Sequence, residues 1–249
     1  ILSYSAMSIP EIADDFYQID DAIRTGYAWS YGPFEIWDNL GIEAGVEMIK
    51  SCGEEIPNWI NEMSDSGIKS FYKFEDGKKK FYDVNSKTYI NVPSSENHYI
   101  LDAFRENNQI LKNSECTVHD IGEGVMCIEF QTKGNSIGEG IAKGINEAID
   151  IAERDGWNGI VIGNNEKQFS VGANLMNMGM MAMQKNFDEI EKFLVGFQKI
   201  LMRMRTCNVP VVSATHGFVM GGGLEVSIHC DAGIHASESY IGLVEAGVG

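Results

Sequence analysis

The second half of the chain alternates between short apolar runs and longer amphipathic segments, and this alternation limits the fold more than any other feature. Runs typical of buried strands occupy residues 125–130, 160–162 and 209–214. Apolar residues at helical spacing occupy residues 137–155 and 186–205 between and after them. Because strands that alternate with helices pack in layers, we predict an α/β domain over residues 116–249.

The first 93 residues follow another pattern, in which short amphipathic helices precede three short strands. Apolar spacing from Ile12 to Ile23 predicts a helix entered at Pro10, because proline favours the first turn. Two more helices and three strands are predicted at residues 41–49, 57–63, 71–74, 81–84 and 88–92. Asp76-Gly77 supplies a turn between the first two strands. We therefore predict a small, mainly helical α+β domain with a short β-meander over residues 1–93.

Residues 94–115 join these two regions. The polar run at 93–97 predicts a linker, and apolar residues from Ile100 to Leu111 predict a short helix after it. The chain begins without methionine and stops at Gly249, inside an expected functional loop. From these ends we predict that the sequence is a fragment of a longer polypeptide.

The charge balance limits the partners of the chain. It carries 36 acidic and 19 basic side chains among 249 residues, with a formal net charge of −17. Nucleic acids and anionic membranes attract positive proteins, so this balance argues against a general binder of either.

Five cysteines without a C-x-x-C pair are typical of reduced thiols, and we expect a cytoplasmic protein. No apolar run has the length of a membrane span, and no signal peptide opens the chain.

Two glycine-containing turns and two glutamates form the candidate site. The first turn is F-S-V-G-A-N at residues 169–174, and the second is G-G-G-L-E at residues 221–225. Each can present a free backbone N–H. Glycine lets a ligand approach the backbone closely, and Gly222 lies near a predicted helix N-terminus, where N–H groups have no partner within the helix. Glu225 and Glu245 are strong acid–base groups. Two backbone donors with one or two carboxylates are the groups that stabilise an enolate formed from a thioester.

Each part of this set also has an ordinary structural interpretation. Three glycines before a helix could form a tight packing turn, and residues 169–174 could simply connect a strand to a helix. Glu225 in a first helical turn could merely complement the helix dipole. The methionines between residues 176 and 183 could form a flexible acyl-binding wall or fill the core, and core filling is the simpler interpretation. The histidines lack the spacing typical of zinc ligands, so no metal site is predicted.

Taken together, these motifs resemble those of the crotonase superfamily, which contains enoyl-CoA hydratases and isomerases. The family pattern F-S-x-G-A-D-L is similar to F-S-V-G-A-N-L at residues 169–175. G-x-x-x-G-G-G-x-E resembles residues 217–225, and P-E-x-x-x-G resembles residues 244–249. Asn174 and Val244 stand where the family usually has aspartate and proline. The resemblance implies a partial, crotonase-like ββα spiral domain, truncated at its C-terminus.

The same resemblance implies roles for individual residues. The N–H groups of Ala173 and Gly222 would form the oxyanion hole. Glu225 and Glu245 would match the paired catalytic glutamates of hydratases. Substrate binding would involve Gly172, Gly221 and Lys133. These roles imply hydration of a 2-enoyl-CoA to a 3-hydroxyacyl-CoA, with coenzyme A as part of the acyl-CoA thioester substrate. Two alternatives stay open, an enoyl-CoA isomerase and a non-catalytic acyl-CoA-binding or assembly fragment.

The first half has a resemblance of its own. G-P-F-E-I-W-D-N-L-G at residues 32–41, after the run at residues 19–26, is similar to the helical C-terminal domain of 3-hydroxyacyl-CoA dehydrogenases. A dehydrogenase tail before a crotonase domain resembles the fused dehydrogenase/hydratase proteins of fatty-acid β-oxidation. No G-x-G-x-x-G occurs, so NAD would belong to an upstream domain of the full-length parent, and this fragment would need no cofactor. The resemblance also allows a homo-oligomer of the full-length protein.

Overall fold

The computed structural model of the chain describes residues 1–75, 77–93, 99–105 and 108–248. The chain divides into two compact units, residues 1–103 and 104–249. The predicted turn residue Asp76, the predicted linker residues 94–97 and the final Gly249 lie outside the described residues. The mixed class of helices and sheets that the sequence predicts is confirmed.

Helices and strands are numbered separately in chain order. The helices α1–α10 are Leu2–Met7, Phe16–Tyr27, Pro33–Leu40, Ile42–Ser51, Asn58–Asp65, Glu139–Asp155, Leu175–Met183, Phe187–Thr206, Gly222–His229 and Glu245–Val248. The strands β1–β11 are Tyr72–Glu75, Lys78–Asp83, Thr88–Asn91, Gln109–Lys112, Cys116–Asp120, Val125–Phe130, Gly159–Ile162, Val211–Thr215, Phe218–Met220, Ala232–His235 and Tyr240–Gly242. Single 3₁₀ turns lie at Leu101–Ala103 and Lys133–Asn135.

The first unit contains helices α1–α5 and an antiparallel meander in the order β1-β2-β3. Its core is aromatic, with fully buried rings at Phe16, Phe34, Trp37, Phe71 and Phe81. The helix predicted to enter at Pro10 begins later, so that part of the prediction is wrong. The residues after α1 form turns, and α2 starts beyond Asp15, whose N–H donates to Gln18 Oε1.

Buried carboxylates explain why the motif at residues 32–41 has its sequence. Asp20 is fully buried and accepts hydrogen bonds from the N–H groups of Phe34 and Glu35, at 2.9 and 3.2 Å. It also accepts a hydrogen bond from the Tyr72 hydroxyl at 2.7 Å. Burial raises the pKa of Asp20 to about 6, against the opposing effect of these hydrogen bonds. A Cβ on Gly32 would lie 2.3 Å from the Asp20 side chain, so this position has no room for a larger residue.

Asp38 anchors the start of the meander in a similar way. Its two carboxylate oxygens accept hydrogen bonds from the N–H groups of Phe71 and Tyr72, at 2.6 and 2.8 Å. Glu35 pairs with Lys79 on the second strand. The acidic residues of the motif therefore bond to backbone amides and lysine within the unit, which is a structural role.

The second unit is built on a six-stranded sheet in the order β10-β8-β7-β6-β5-β4. Strands β10, β8, β7 and β6 are parallel, and β6, β5 and β4 are antiparallel. Helices α6 and α8 contribute Ile145, Ile149 and Leu201 to the core against this sheet. A separate parallel pair joins β9 to β11. The site turns follow strands β7 and β9.

The helix predicted from Ile100 to Leu111 is wrong. Among its described residues, a single 3₁₀ turn forms at its start, and its end is the edge strand β4. Leu111 pairs with Val118 of β5 and packs against the core, so sheet pairing overrides the local apolar spacing. The sheet of the second unit therefore begins inside the segment that the sequence assigned to the linker.

Candidate active site

The first site turn is fixed to strand β9 by its own backbone. Phe169 is fully buried in the core of the second unit, and its N–H donates to the His216 carbonyl at 2.9 Å. The N–H of Ser170 donates to Phe218 O, and Met220 N–H donates to Ser170 O, both at 3.0 Å. These bonds hold the residues that precede Gly172 and Ala173 in an extended, paired conformation.

Ala173 is held so that its own N–H stays unpaired. Ile137 N–H donates to Gly172 O at 2.7 Å, and Asn174 N–H donates to Ile137 O at 3.0 Å. Because Ile137 bonds to the residues on both sides of Ala173, the Ala173 N–H faces away from Ile137. In the part of the chain that the structure describes, this N–H donates no hydrogen bond.

The second site turn places an unpaired N–H at the start of α9. Gly221 has a φ of 48°, a left-handed value that favours glycine, and its N–H donates to Gly242 O at 2.9 Å. The Glu225 N–H donates to Gly221 O at 3.0 Å and opens the helix. Gly222 is the first helical residue, where an N–H has no acceptor within the helix. Its N–H has no hydrogen-bond acceptor among the described residues.

The two turns touch through glycine backbone. A Cβ on Gly172 would lie 3.2 Å from the Gly222 nitrogen and 2.8 Å from Met220 O. A Cβ on Gly222 would lie 3.4 Å from the Ala173 nitrogen. Both unpaired amides therefore lie at one narrow junction, which side chains at these two positions would disrupt. Gly172 also has a φ of 95°, which few other residues adopt.

The two glutamates approach this junction from different helices. Glu225, in the first turn of α9, has its Oε2 3.7 Å from the position of a Cβ on Gly222. Glu245, at the start of α10, has its Oε1 3.1 Å from the position of a Cβ on Gly221. Neither carboxylate accepts a hydrogen bond from the described residues, and Glu225 is half-buried whereas Glu245 is exposed. The structure thus brings two uncommitted carboxylates to adjacent glycines.

A cavity of about 550 Å³ opens beside the first turn, between α6, α7 and α8. Ile137 and Asn174 line it next to the site, and its apolar wall includes Met178, Met181 and Phe193. Helix α7 has no buried residue, so the interpretation of its methionines as core filler is wrong. Ile137 is a site residue that its apolar spacing did not reveal. It precedes α6, pairs with Ala173 and places its Cδ1 3.5 Å from a Cβ on Gly222.

Lys133 lies at a loop that contacts the first turn. It is exposed and precedes Gly134, whose carbonyl accepts a hydrogen bond from Val171 N–H at 3.1 Å. The structure therefore brings the backbone of this loop to the turn, and the role of Lys133 in substrate binding stays a prediction.

The other titratable groups near the site make separate hydrogen bonds. His216 Nε2 contacts the Glu166 carbonyl, and His229 Nδ1 contacts the Glu225 carbonyl at 2.7 Å. Among the described residues no group of three histidine, cysteine or acidic side chains has metal-binding geometry. No helix in the described ranges is both long enough and apolar enough to cross a bilayer.

The architecture of the second unit defines the fold class. The chain matches an enoyl-CoA hydratase structure from Polaromonas sp. JS666 with a TM-score of 0.51 and 20% identity. The match covers 54% of this chain and 52% of that one. At this identity the match shows the fold alone, which is crotonase-like.

Residues 120–249 match the family model of enoyl-CoA hydratase/isomerase, which is more than half of the chain. The chain belongs to the enoyl-CoA hydratase/isomerase family, so the family resemblance recognised in its motifs is confirmed.

Two longer proteins match the chain across both units. The chain is 39% identical over 249 residues to a probable 3-hydroxyacyl-CoA dehydrogenase of Bacillus subtilis (strain 168). It is 28% identical over 251 residues to a putative fatty acid oxidation complex trifunctional enzyme of Rickettsia felis. The two matches cover 100% and 99% of this chain, but only 31% of the length of each relative. The similarity thus includes the first unit, which the family model does not.

Proposed function

We propose that the second unit hydrates 2-enoyl-CoA thioesters to 3-hydroxyacyl-CoA thioesters in fatty-acid β-oxidation. One observation carries this proposal. The unpaired N–H groups of Ala173 and Gly222 lie at one glycine junction, with the carboxylates of Glu225 and Glu245 beside it. Relatives named for fatty acid oxidation and 3-hydroxyacyl-CoA dehydrogenase support a longer parent that also carries a dehydrogenase. In that parent, NAD would bind outside this chain.

The two amides would act on the thioester carbonyl. An oxygen placed at the junction would accept hydrogen bonds from Ala173 and Gly222, which polarises the conjugated double bond. Negative charge collects on that oxygen as the enolate forms, so donors that are already oriented stabilise the transition state more than the substrate. Removal of one such donor typically costs roughly 10²–10³ in rate.

The two carboxylates would move the protons. Glu225 would take a proton from water as the water oxygen bonds to the β-carbon. Glu245, in its acid form, would deliver a proton to the α-carbon as the enolate collapses. One proton passing from Glu225 to Glu245 restores both groups, so one water adds across one double bond. General acid–base help of this kind contributes roughly 10²–10⁴ in rate.

The cavity beside the first turn would hold the acyl chain. It begins at Ile137 and Asn174, next to the oxyanion amides, and continues along the apolar side chains of α7 and α8. A thioester whose carbonyl lies at the junction would therefore direct its hydrocarbon into this space. No metal or redox cofactor is required for the addition of water, and coenzyme A enters as part of the substrate.

Double-bond isomerisation is a second candidate, and one observation favours it. Glu225 is half-buried beside Gly222, whereas Glu245 is exposed. A single carboxylate over an enolate can move a proton between two carbons without adding water. Under this alternative Glu225 would act alone.

The test is an assay of the 249-residue chain with a 2-enoyl-CoA and, separately, a 3-enoyl-CoA. The proposal predicts loss of the enoyl-thioester absorbance with the first substrate. It also predicts that Glu245→Gln lowers this rate at least roughly 10²-fold. Glu238→Gln, at an exposed position, is the matched control and should keep the wild-type rate.

Two outcomes would contradict hydration, and a third would contradict the role of Glu245. Conversion of the 3-enoyl-CoA without hydration of the 2-enoyl-CoA would establish the isomerase. Binding of both thioesters without turnover would establish an acyl-CoA-binding fragment. A normal rate in Glu245→Gln would remove that residue from the reaction.

A further inference from the structure

Ser170 connects the segments that form the oxyanion junction. It is fully buried, and its hydroxyl donates to Asn135 O at 2.7 Å. The same Oγ accepts a hydrogen bond from Gly172 N–H at 3.1 Å. Its backbone N–H and carbonyl pair with Phe218 and Met220 of β9. One small side chain thus links the loop before α6, the first turn and the strand that leads to the second turn.

These bonds determine the direction of the Ala173 amide. Gly172 C=O and Ala173 N–H belong to one planar trans peptide unit, so they point in opposite directions. Ile137 N–H holds the carbonyl end of this unit at 2.7 Å. Ser170 Oγ holds the N–H of Gly172, one peptide unit earlier. Gly172 has no side chain to restrict its dihedral angles, so hydrogen bonds must fix the rotation on both of its sides.

Asn135 supplies the backbone carbonyl that accepts the Ser170 hydroxyl, and its own side chain holds that carbonyl in place. It is 1% exposed and has a φ of 52°, a conformation that asparagine tolerates better than most residues. Its Nδ2 donates to Gln168 O at 3.0 Å, so the side chain fixes the loop whose carbonyl receives the Ser170 hydroxyl. The serine hydroxyl also lies 3.0 Å from the position of a Cβ on Gly223, at the second turn.

We propose that Ser170, supported by Asn135, is a positioning residue that orients the Ala173 N–H toward the thioester oxygen. This inference rests on the proposed function of the same junction. Ser170 acts through the peptide between Gly172 and Ala173 and touches no reacting atom. Its loss reduces polarisation of the carbonyl and leaves the binding of the acyl and coenzyme portions intact.

The test compares Ser170→Ala with the wild-type chain and with Ser213→Ala. Ser213 is an equally buried serine of the second unit, in strand β8, and its hydroxyl pairs with the Ser227 hydroxyl at 2.8 Å, away from the first turn. The infrared stretching frequency of a ¹³C-labelled thioester carbonyl is measured on the bound acyl-CoA. A carbonyl that accepts two oriented hydrogen bonds absorbs at lower frequency. Rates are measured on a 2-enoyl-CoA.

The wild-type chain and Ser213→Ala are expected to lower the carbonyl frequency to the same extent. Ser170→Ala is expected to give about half of that shift, because one of two donors is misdirected. Its kcat should fall roughly 10-fold with KM within about 2-fold, since misplacement of a group costs rate rather than binding.

The infrared shift and kcat together separate a failure of the positioning role from a failure of the proposed function. Without a carbonyl shift in the wild-type chain, the oxyanion assignment and this inference both fail. A full shift and wild-type kcat in Ser170→Ala would overturn the positioning role and leave the proposed function standing. If Ser170→Ala does not fold, Asn135→Gly replaces it, since glycine keeps the left-handed backbone and removes the one side-chain bond that Asn135 makes to the described residues, to Gln168 O. A reduced shift in that variant supports the inference, and a full shift overturns it.

Discussion

Asp20 in the first unit and Glu225 in the second both lie beside the first turn of a helix, yet only Asp20 is bonded to it. Asp20 accepts the N–H groups of Phe34 and Glu35 at the start of α3. Glu225 accepts no hydrogen bond from the described residues, and the Gly222 N–H at the start of α9 also stays unpaired. A carboxylate of the protein itself therefore binds the free N–H groups at the start of α3. The N–H of Gly222 at the start of α9 stays available to a ligand.

The difference extends to the surrounding glycines. In the first unit, Gly32 makes room for the Asp20 side chain, so its missing Cβ serves internal packing. In the second unit, Gly172 and Gly222 make room for two backbone turns whose amides have no partner in the described chain. Buried polar groups in folded proteins are nearly always hydrogen-bonded, so these two unpaired donors are available to bind a ligand.

The largest effect should come from Glu225→Gln. Hydration by this variant should fall by roughly 10²–10⁴, because the proposed general base is lost. Its thermal midpoint should stay within about 1 °C of wild type, since the carboxylate makes no hydrogen bond in the described chain. Hydration kinetics and thermal unfolding measured on the same preparation check both parts. A variant that loses stability together with activity would show that Glu225 serves the fold, as Asp20 does.

Asp20→Ala should lower the stability of the fold, in contrast to Glu225→Gln. The substitution leaves two backbone N–H groups and the Tyr72 hydroxyl without their acceptor, and should cost about 3 kcal/mol of unfolding free energy. Asp21→Ala is the control, because Asp21 is partly exposed and its carboxylate pairs, among the described residues, with Arg24 alone, a contact worth less than about 1 kcal/mol. Denaturant unfolding followed by tryptophan fluorescence reports mainly on the first unit, which holds Trp29, Trp37 and Trp59. Equal losses in the two variants would remove the structural role of Asp20.

Gly172→Ala should damage the junction without touching a carboxylate. Its Cβ would lie 2.8 Å from Met220 O at a φ of 95°, so the turn must shift and the two amides separate. We expect kcat/KM to fall roughly 10²-fold. Gly179→Ala is the control, since Gly179 is exposed in α7 with open space around it and should gain about 0.5–1 kcal/mol of stability. Steady-state kinetics and thermal unfolding separate the two effects, and wild-type kcat/KM in Gly172→Ala would contradict the close junction.

The smallest effect concerns acid stability in the second unit. Burial alone would raise the pKa of Glu129, but hydrogen bonds from His119 and Arg105 lower it to about 2. A lowered folded-state pKa stabilises the fold above the unfolded value near 4 and loses that contribution as pH falls toward 2. The advantage of wild type over Glu129→Gln should therefore shrink by about 2 kcal/mol from pH 6 to pH 2, less than the full linkage value because Arg105 is partly exposed. Urea unfolding at several pH values measures it, and a pH-independent difference would contradict the lowered pKa.

Periodic apolar spacing predicted the elements that bury one face against a core. The strand Val125–Phe130 and the helix Phe187–Thr206 lie where the pattern placed them. The strand Gln109–Lys112 was predicted as helix. Ile110 and Leu111 fit the helical and the strand spacing of apolar residues equally well, and only the pairing with β5 decides between them. Helix α7 has no buried face, so periodicity carried no signal for it.

The site motifs were recognisable in the sequence, but the contacts that orient them were not. Ser170 and Asn135 are 35 positions apart, and Ile137 pairs with Ala173 across a similar interval. Such pairings depend on sheet register and loop geometry, which local sequence patterns do not encode. The roles of Ala173, Gly222, Glu225 and Glu245 stay predictions that rest on this geometry.

The most direct test of the proposed oxyanion hole follows the two backbone amides themselves. In ¹H–¹⁵N spectra of the 249-residue chain, titration with a saturated acyl-CoA should move the amide proton resonances of Ala173 and Gly222 downfield together, because both would donate to one thioester oxygen. Gly221, whose N–H already donates to Gly242 O, supplies the internal reference and should move little. Saturable binding that shifts other resonances but leaves those of Ala173 and Gly222 in place would contradict the shared oxyanion site.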